Sequence, residues 1–189
     1  MMLYLLLAVA VVAIIFVALV LSRPAHFRVT RSATIGAPPE AVFGYVNDVH
    51  RFQEWSPWAK LDPSAAIIYE GPNAGPGASF TWKGGMKVGS GKMTVVDSVP
   101  HREVHFQLDF LKPMVATNMV KFTLEPEGDQ TLISWSMSGR NNFVAKAFNL
   151  FIDCDKMCGG QFEQGLANLN GVVKAPASKS PQDLAPTAV

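Results

Sequence analysis

The chain has 189 residues, 49% of them hydrophobic, with 16 Lys and Arg against 15 Asp and Glu and a formal net charge of +1. That length holds one apolar segment plus one domain with a substantial core, and it excludes a second globular domain. The balanced charge supplies no basic stripe to neutralise a phosphate backbone, so no nucleic-acid partner is expected.

Residues 1–21 contain no charge, no Gly and no Pro. As a helix they span roughly 30 Å, the thickness of a bilayer core. The run is longer than the apolar region of a secretory signal, lacks a basic leader and shows no small-x-small cleavage site near Ser22, so residues 1–22 are read as a retained transmembrane anchor. Arg23, Arg28 and Arg31 follow the run and no cation precedes it. This asymmetry predicts a single-pass membrane protein with its C-terminal domain in the cytoplasm.

After the anchor, Val29 to Ile35 predicts a β-branched strand stopped by Gly36, Pro38 and Pro39. Val42, Phe43, Val46 and Val49 then recur at helical spacing, with Asn47 and Asp48 interrupting before a short helix around His50 to Trp55. Trp55 to Pro63 reads as an ordered loop. From Ile67 to Gly139 the period changes to two: Phe80 and Trp82, Met93 and Val95, Val104 to Phe110, Val120 to Leu124 and Ile133 to Met137 each alternate with polar residues. This pattern predicts an antiparallel sheet of about seven strands, apolar on one face, with Glu127-Gly128-Asp129 closing a hairpin. Residues 142–174 return to helical spacing, with Val144, Phe148, Phe151, Cys158, Phe162, Leu166, Leu169 and Val173 on one side of one long helix. The apolar sheet face is its only large partner, giving an α+β fold. Residues 175–189, rich in Pro and small polar side chains, are expected to be disordered.

Several stretches then carry a likeness: Pro38-Pro39-Glu40-Ala41-Val42-Phe43, Trp55-Ser56-Pro57-Trp58, Gly77 to Trp82, Phe122-Thr123-Leu124-Glu125-Pro126 and Gly160 to Leu169. In that order, over about residues 27–174, the chain resembles the START-like (SRPBCC) superfamily, which includes Bet v 1-type allergens and polyketide cyclase/dehydrase-like proteins. The resemblance implies a helix-grip fold, a curved antiparallel sheet around a long C-terminal helix with an apolar cavity between them. It implies no single activity, because members bind lipids, hormones and polyketides, act as cyclases, or bind proteins.

Ligand pockets are lined by apolar and aromatic side chains with a few orienting polar groups. The candidates here are Trp55, Trp58, Phe80, Trp82, Phe106, Phe122, Trp135, Phe148, Phe151 and Phe162, with Asn118 on the face of Val120 and Phe122 either a polar handle inside or a strand-end residue near solvent. The competing reading is that these aromatics simply fill the core. Asp155 falls near the apolar side of the long helix, where burial would raise its carboxyl pKa and create an acid or base; at the edge of the stripe it would reach water instead. Gly159 and Gly160 each cost about 1 kcal/mol in mid-helix, so close approach to the sheet or a kink is expected there.

No cofactor and no metal are expected. Cys154 and Cys158 lack a second ligand pair, a helical disulfide between them would be strained, and reduced thiols are expected. His26, His50, His101 and His105 are scattered over loops and outward strand positions. Gly84 to Met93 fails as a phosphate loop, with Met86 at the first glycine and Met93 at the Ser/Thr position. No serine sits in a nucleophile elbow, so no catalytic residue is assigned. Three functions follow: a membrane-anchored module binding a hydrophobic small molecule or lipid, a cyclase or dehydratase, or a cavity-less domain that binds another protein.

Overall fold

In the computed structural model, which describes residues 1–150 and 154–174, the N-terminal run forms one helix, α1 (Met2–Ser22). It is long and apolar enough to cross a membrane. Seven strands follow: β1 (His26–Ile35), β2 (Ala66–Glu70), β3 (Ser79–Lys83), β4 (Ser90–Val99), β5 (Glu103–Lys112), β6 (Ala116–Glu127) and β7 (Gln130–Arg140). They make one antiparallel sheet in the order β1-β7-β6-β5-β4-β3-β2. Consecutive strands from β2 to β7 are joined as hairpins; the β6–β7 turn pairs Glu127 with Gln130 across Gly128 and Asp129, with Gly128 at φ 65°.

The first two strands lie on opposite edges, so the chain between them must cross the sheet. It does so as three short helices, α2 (Pro39–Asn47), α3 (Val49–Trp55) and α4 (Pro57–Leu61). Pro39 and Pro57 open α2 and α4 at positions where a missing N–H costs nothing. Asp48 starts α3 by accepting from the backbone N–H groups of His50 (2.8 Å) and Arg51 (3.2 Å). The expected loop from Trp55 to Pro63 is therefore corrected to a helix, the proline acting as its first residue rather than as a breaker.

The single helix expected over residues 142–174 is also corrected. Asn142 caps a separate short helix, α5 (Phe143–Phe148), by accepting from the Ala145 N–H at 2.8 Å. The long helix is α6 (Cys154–Lys174). In α5 the apolar residues Phe143, Val144 and Phe148 point outward, so helical spacing continued across two helices that share no buried face. The last turn of α1 packs on α5, burying Val20. Phe151 and the tail at 175–189, read above as a pocket residue and as disorder, lie outside the described residues, as does the Cys154 side chain.

Alternation sets which strand residues face α6. Inward from β1 stand Phe27, Val29, Arg31, Ala33 and Ile35; from β7, Ile133, Trp135 and Met137. Arg31 is thus a cation on the apolar face, directly opposite Trp135 in the register. It reaches the first turns of α6, donating to Asp155 at 2.9 Å and to Glu163 at 2.8 Å. Asp155 is exposed, and hydrogen bonding from Arg31 holds its carboxyl below the ordinary Asp range. The buried acid with a raised pKa is corrected: the partner is a cation, and burial is slight. Further along α6, Asn168 donates to the Trp55 carbonyl (3.0 Å), Asn170 accepts from the Gly36 N–H (3.1 Å) and Val172 accepts from the Tyr45 hydroxyl (3.3 Å).

Of the paired glycines, Gly159 is buried against the Arg31 guanidinium, which a Cβ would displace, while Gly160 faces open space. Gly160→Ala is expected to stabilise the domain by about 1 kcal/mol through helix propensity, and Gly159→Ala to forfeit that gain. Equal stabilisation by both in urea unfolding would refute the close approach. A carboxyl whose folded pKa is depressed adds stability that is complete above its unfolded value of about 3.9 and is lost as pH falls through the folded value. Protection factors in the first turns of α6, amide exchange rates divided by their intrinsic values at each pH, should therefore hold steady from about pH 5 to 8 and fall only in acid; a fall near neutrality would contradict the Arg31 clamp.

Candidate functional site

The inner sheet face divides into two halves that differ in packing. At the end where β1 finishes, Phe106, Phe122, Trp135, Val104, Leu124 and Ile133 are buried beneath Phe52 and Trp55 of α3 and Phe162, Leu166 and Leu169 of α6. Trp135 and Phe162 stack with centroids 4.3 Å apart and planes 7° from parallel. Phe122 lies 4.9 Å from Trp135, and Trp55 meets Trp135 edge-on at 5.5 Å. Gly165 makes this stack possible, since a Cβ there would approach the Trp135 ring to 2.7 Å. The Trp55 indole N–H is satisfied by the Tyr45 carbonyl at 3.0 Å. These side chains form a solid plug.

At the other end, where β1 begins, several inward side chains are only half-buried. The register places Trp82, Gly91 and Phe110 in one row and Phe80, Met93, Leu108, Asn118, Gly139 and Phe27 in the next. Trp82, Phe110, Leu108 and Phe27 keep part of their surface open, while Phe80, Met93 and Asn118 are buried. Two glycines in this floor let large side chains lie close over the sheet. The Trp82 ring lies over Gly91, and the Asn118 carboxamide and Phe27 ring lie over Gly139, where a Cβ would collide with them. Trp82 is pinned by donating to the Val88 carbonyl (3.0 Å) and meets Phe110 edge-on at 5.9 Å. Trp58 of α4, half-buried, packs edge-on against Trp135 at 5.7 Å and Phe162 at 6.2 Å.

Two polar groups on this face lack partners among the described residues. The Trp135 Nε1–H is fully buried with no acceptor, and the Asn118 side chain, on a residue 6% exposed, makes no hydrogen bond. Each unanswered group costs on the order of 1–3 kcal/mol unless a guest or water meets it. A separate groove of about 160 Å³ runs between β1 and α6, bordered by Ala33, Ile35, Leu166 and Asn170. It is smaller than typical small-molecule sites, which begin at about 300 Å³.

The sequence-derived set is thus distributed over three places. Trp55, Phe106, Phe122, Trp135 and Phe162 form the plug, with Trp58 packed edge-on against it; Phe80, Trp82 and Asn118 stand at the half-open end; Phe148 stands on the surface of α5, 54% exposed. Sequence reasoning missed Phe27, Leu108 and Phe110 at the half-open end and Phe52 in the plug. The alternation Val104, Phe106, Leu108, Phe110 already carried the signal for two of them. His50 stacks on Tyr69, which neighbours Phe80 at the β2 edge of the same row, while His105 contacts Glu103 at 2.9 Å and His101 lies at a turn. Among the described residues no group of three or more His, Cys, Asp or Glu side chains is placed to hold a metal ion.

Several solved structures share this fold. Protein CV1439 from Chromobacterium violaceum is 17% identical with a TM-score of 0.57, covering 82% of this chain and 100% of that one. The Aha1 dimer from Colwellia psychrerythraea is 16% identical with a TM-score of 0.57, covering 80% and 99%. Ara h 8.0201 is 16% identical with a TM-score of 0.58, also covering 80% and 99%. At these identities the likeness shows the fold alone. Comparison with curated proteins gives no match. Residues 26–174 match the profile of the family described as polyketide cyclase / dehydrase and lipid transport, and the chain belongs to that family.

Proposed function

We propose that the chain is a membrane-anchored binding module whose hollow takes a hydrophobic small molecule or lipid bearing one hydrogen-bonding group. The observation that carries this reading is the half-open apolar floor of Phe27, Trp82, Leu108 and Phe110 beside the unanswered Asn118 carboxamide. Burial of apolar surface at about 25 cal/mol per Å² supplies affinity without charge recognition. The family's description, which includes lipid transport, agrees with it. The anchor reading is supported by the exposure of α1: a core helix is mostly buried, whereas 6% of this one's apolar window is. The contact of its last turn with α5 favours a helix that is retained. The cations at Arg23, Arg28 and Arg31 favour a single pass with the domain in the cytoplasm.

A cyclase or dehydratase would need an acid–base group at the reacting centre. The titratable groups that the described strands direct inward are Arg31, engaged by two carboxylates, and Tyr69 on the edge strand, whose phenol is pushed up by burial. Neither borders Asn118, which favours binding over catalysis; Tyr69, with His50 stacked on it beside Phe80, is the pair a catalytic reading would use.

Native mass spectrometry of the detergent-extracted full chain, with palmitate as added probe, tests the hollow. Phe110→Ala is expected to weaken retention about 10- to 100-fold, the equivalent of roughly 1.5–3 kcal/mol of lost aromatic burial, while leaving the melting temperature nearly unchanged. Trp135→Ala, which opens the plug, is expected to cost about 3–5 kcal/mol of stability instead. Undiminished palmitate retention by Phe110→Ala would sink this assignment.

A further inference from the structure

We propose that the rim of the domain nearest the anchor docks directly onto an anionic phospholipid surface, placing the hollow against the headgroups. The inference rests on reading α1 as a membrane anchor. The strand register brings several elements to one end of the sheet: the start of β1 with the end of β7, the β5–β6 hairpin tip and the β3–β4 hairpin. α5 follows β7 at the same end, against the last turn of α1. The end where the anchor leaves is also the end where the hollow lies.

That rim is apolar at its tips. Met86 of the β3–β4 hairpin is 103% exposed and Val115 of the β5–β6 hairpin 76%. Leu111, Met114, Phe143 and Phe148 are exposed beside them. Between the tips stand exposed cations: Arg23, Lys83, Lys87, Lys112 and Arg140. The carboxylate of Asp62, close by, is occupied by the Gly85 N–H and by Ser64. The opposite rim is net acidic, with Glu40, Glu125, Glu127 and Asp129 exposed against Arg102 and Lys174. A domain with this polarity is drawn rim-first to anionic headgroups, each Lys or Arg near the surface adding to the attraction. The apolar tips then enter the interface as the apolar face of an amphipathic helix does.

Chain geometry strengthens the case. Only Arg23, Pro24 and Ala25 separate the end of α1 from the start of β1. Three extended residues reach at most about 11 Å. With α1 inserted, the rim is therefore held within one Debye length or so, about 8–10 Å, of the bilayer surface.

Amide exchange of the full chain in lipid nanodiscs tests the docking, comparing phosphatidylcholine alone with about 30% phosphatidylserine, a content that makes the surface anionic. Segments 84–89 and 111–116 are expected to exchange at least about fivefold more slowly in the anionic discs, the factor corresponding to one engaged Lys or Arg. The far turns at 100–102 and 127–130 should not change. Met114→Glu with Val115→Glu, both surface positions, should abolish the difference without altering the far turns. Equal rim exchange in the two discs, with α1 protected in both, overturns the docking alone and leaves the apolar tips to a protein partner. Free exchange of α1 in both discs overturns the anchor and the docking with it.

Discussion

The stack of Trp135 on Phe162 decides what this domain does with its sheet. Trp135 rises from β7, one strand in from the edge, and Phe162 descends from α6 onto it with parallel planes. Gly165 lets the helix backbone come close enough for the rings to overlap. Arg31 on the edge strand draws the first turns of α6 to the same side through Asp155 and Glu163. The long helix is consequently committed to the β1 side of the sheet. The plug that fills this side spares the rows of Trp82, Leu108 and Phe110, which a centrally placed helix would have covered.

This arrangement reconciles the two readings of the aromatic set. A curved sheet with one apolar face has to bury that face or offer it to a guest. Here one end is buried, and on the binding reading proposed above the other is the end offered. The filled end supplies stability through ring contacts and full burial; the open end retains apolar surface and the Asn118 carboxamide, which no side chain answers. Glycines rather than small apolar residues define the open floor, because Trp82 and Asn118 lie flat over Gly91 and Gly139. The binding reading depends on this separation and not on the number of aromatics in the chain.

Much of the fold was legible in the residues. Period-two alternation in β5, β6 and β7 gave strands whose inward members are the buried ones, and helical spacing from Phe162 to Val173 gave the body of α6. The aromatic candidates were legible as a class. Their division was not, because it depends on where α6 lies across the sheet, a contact between residues far apart in sequence. Arg31 was counted as one of three cations after the anchor, although its strand parity with Val29 and Ala33 put it on the inner face. Phe148 shared the helical spacing of its neighbours, but Asn142 and Asn149 bound a helix too short to carry that face inward. Pro57 read as a loop residue because a proline that stops one helix and a proline that starts the next look alike in sequence.

The most direct measurement of the central claim is an isotope-filtered nuclear Overhauser experiment on the full chain with a 13C-labelled fatty acid. Cross-peaks from the acyl chain to Phe27, Trp82, Leu108 and Phe110, and none to Phe106, Phe122 or Trp135, are the predicted result. Contacts to the second group, or to the outer face of the sheet alone, would contradict a domain packed at one end and hollow at the other.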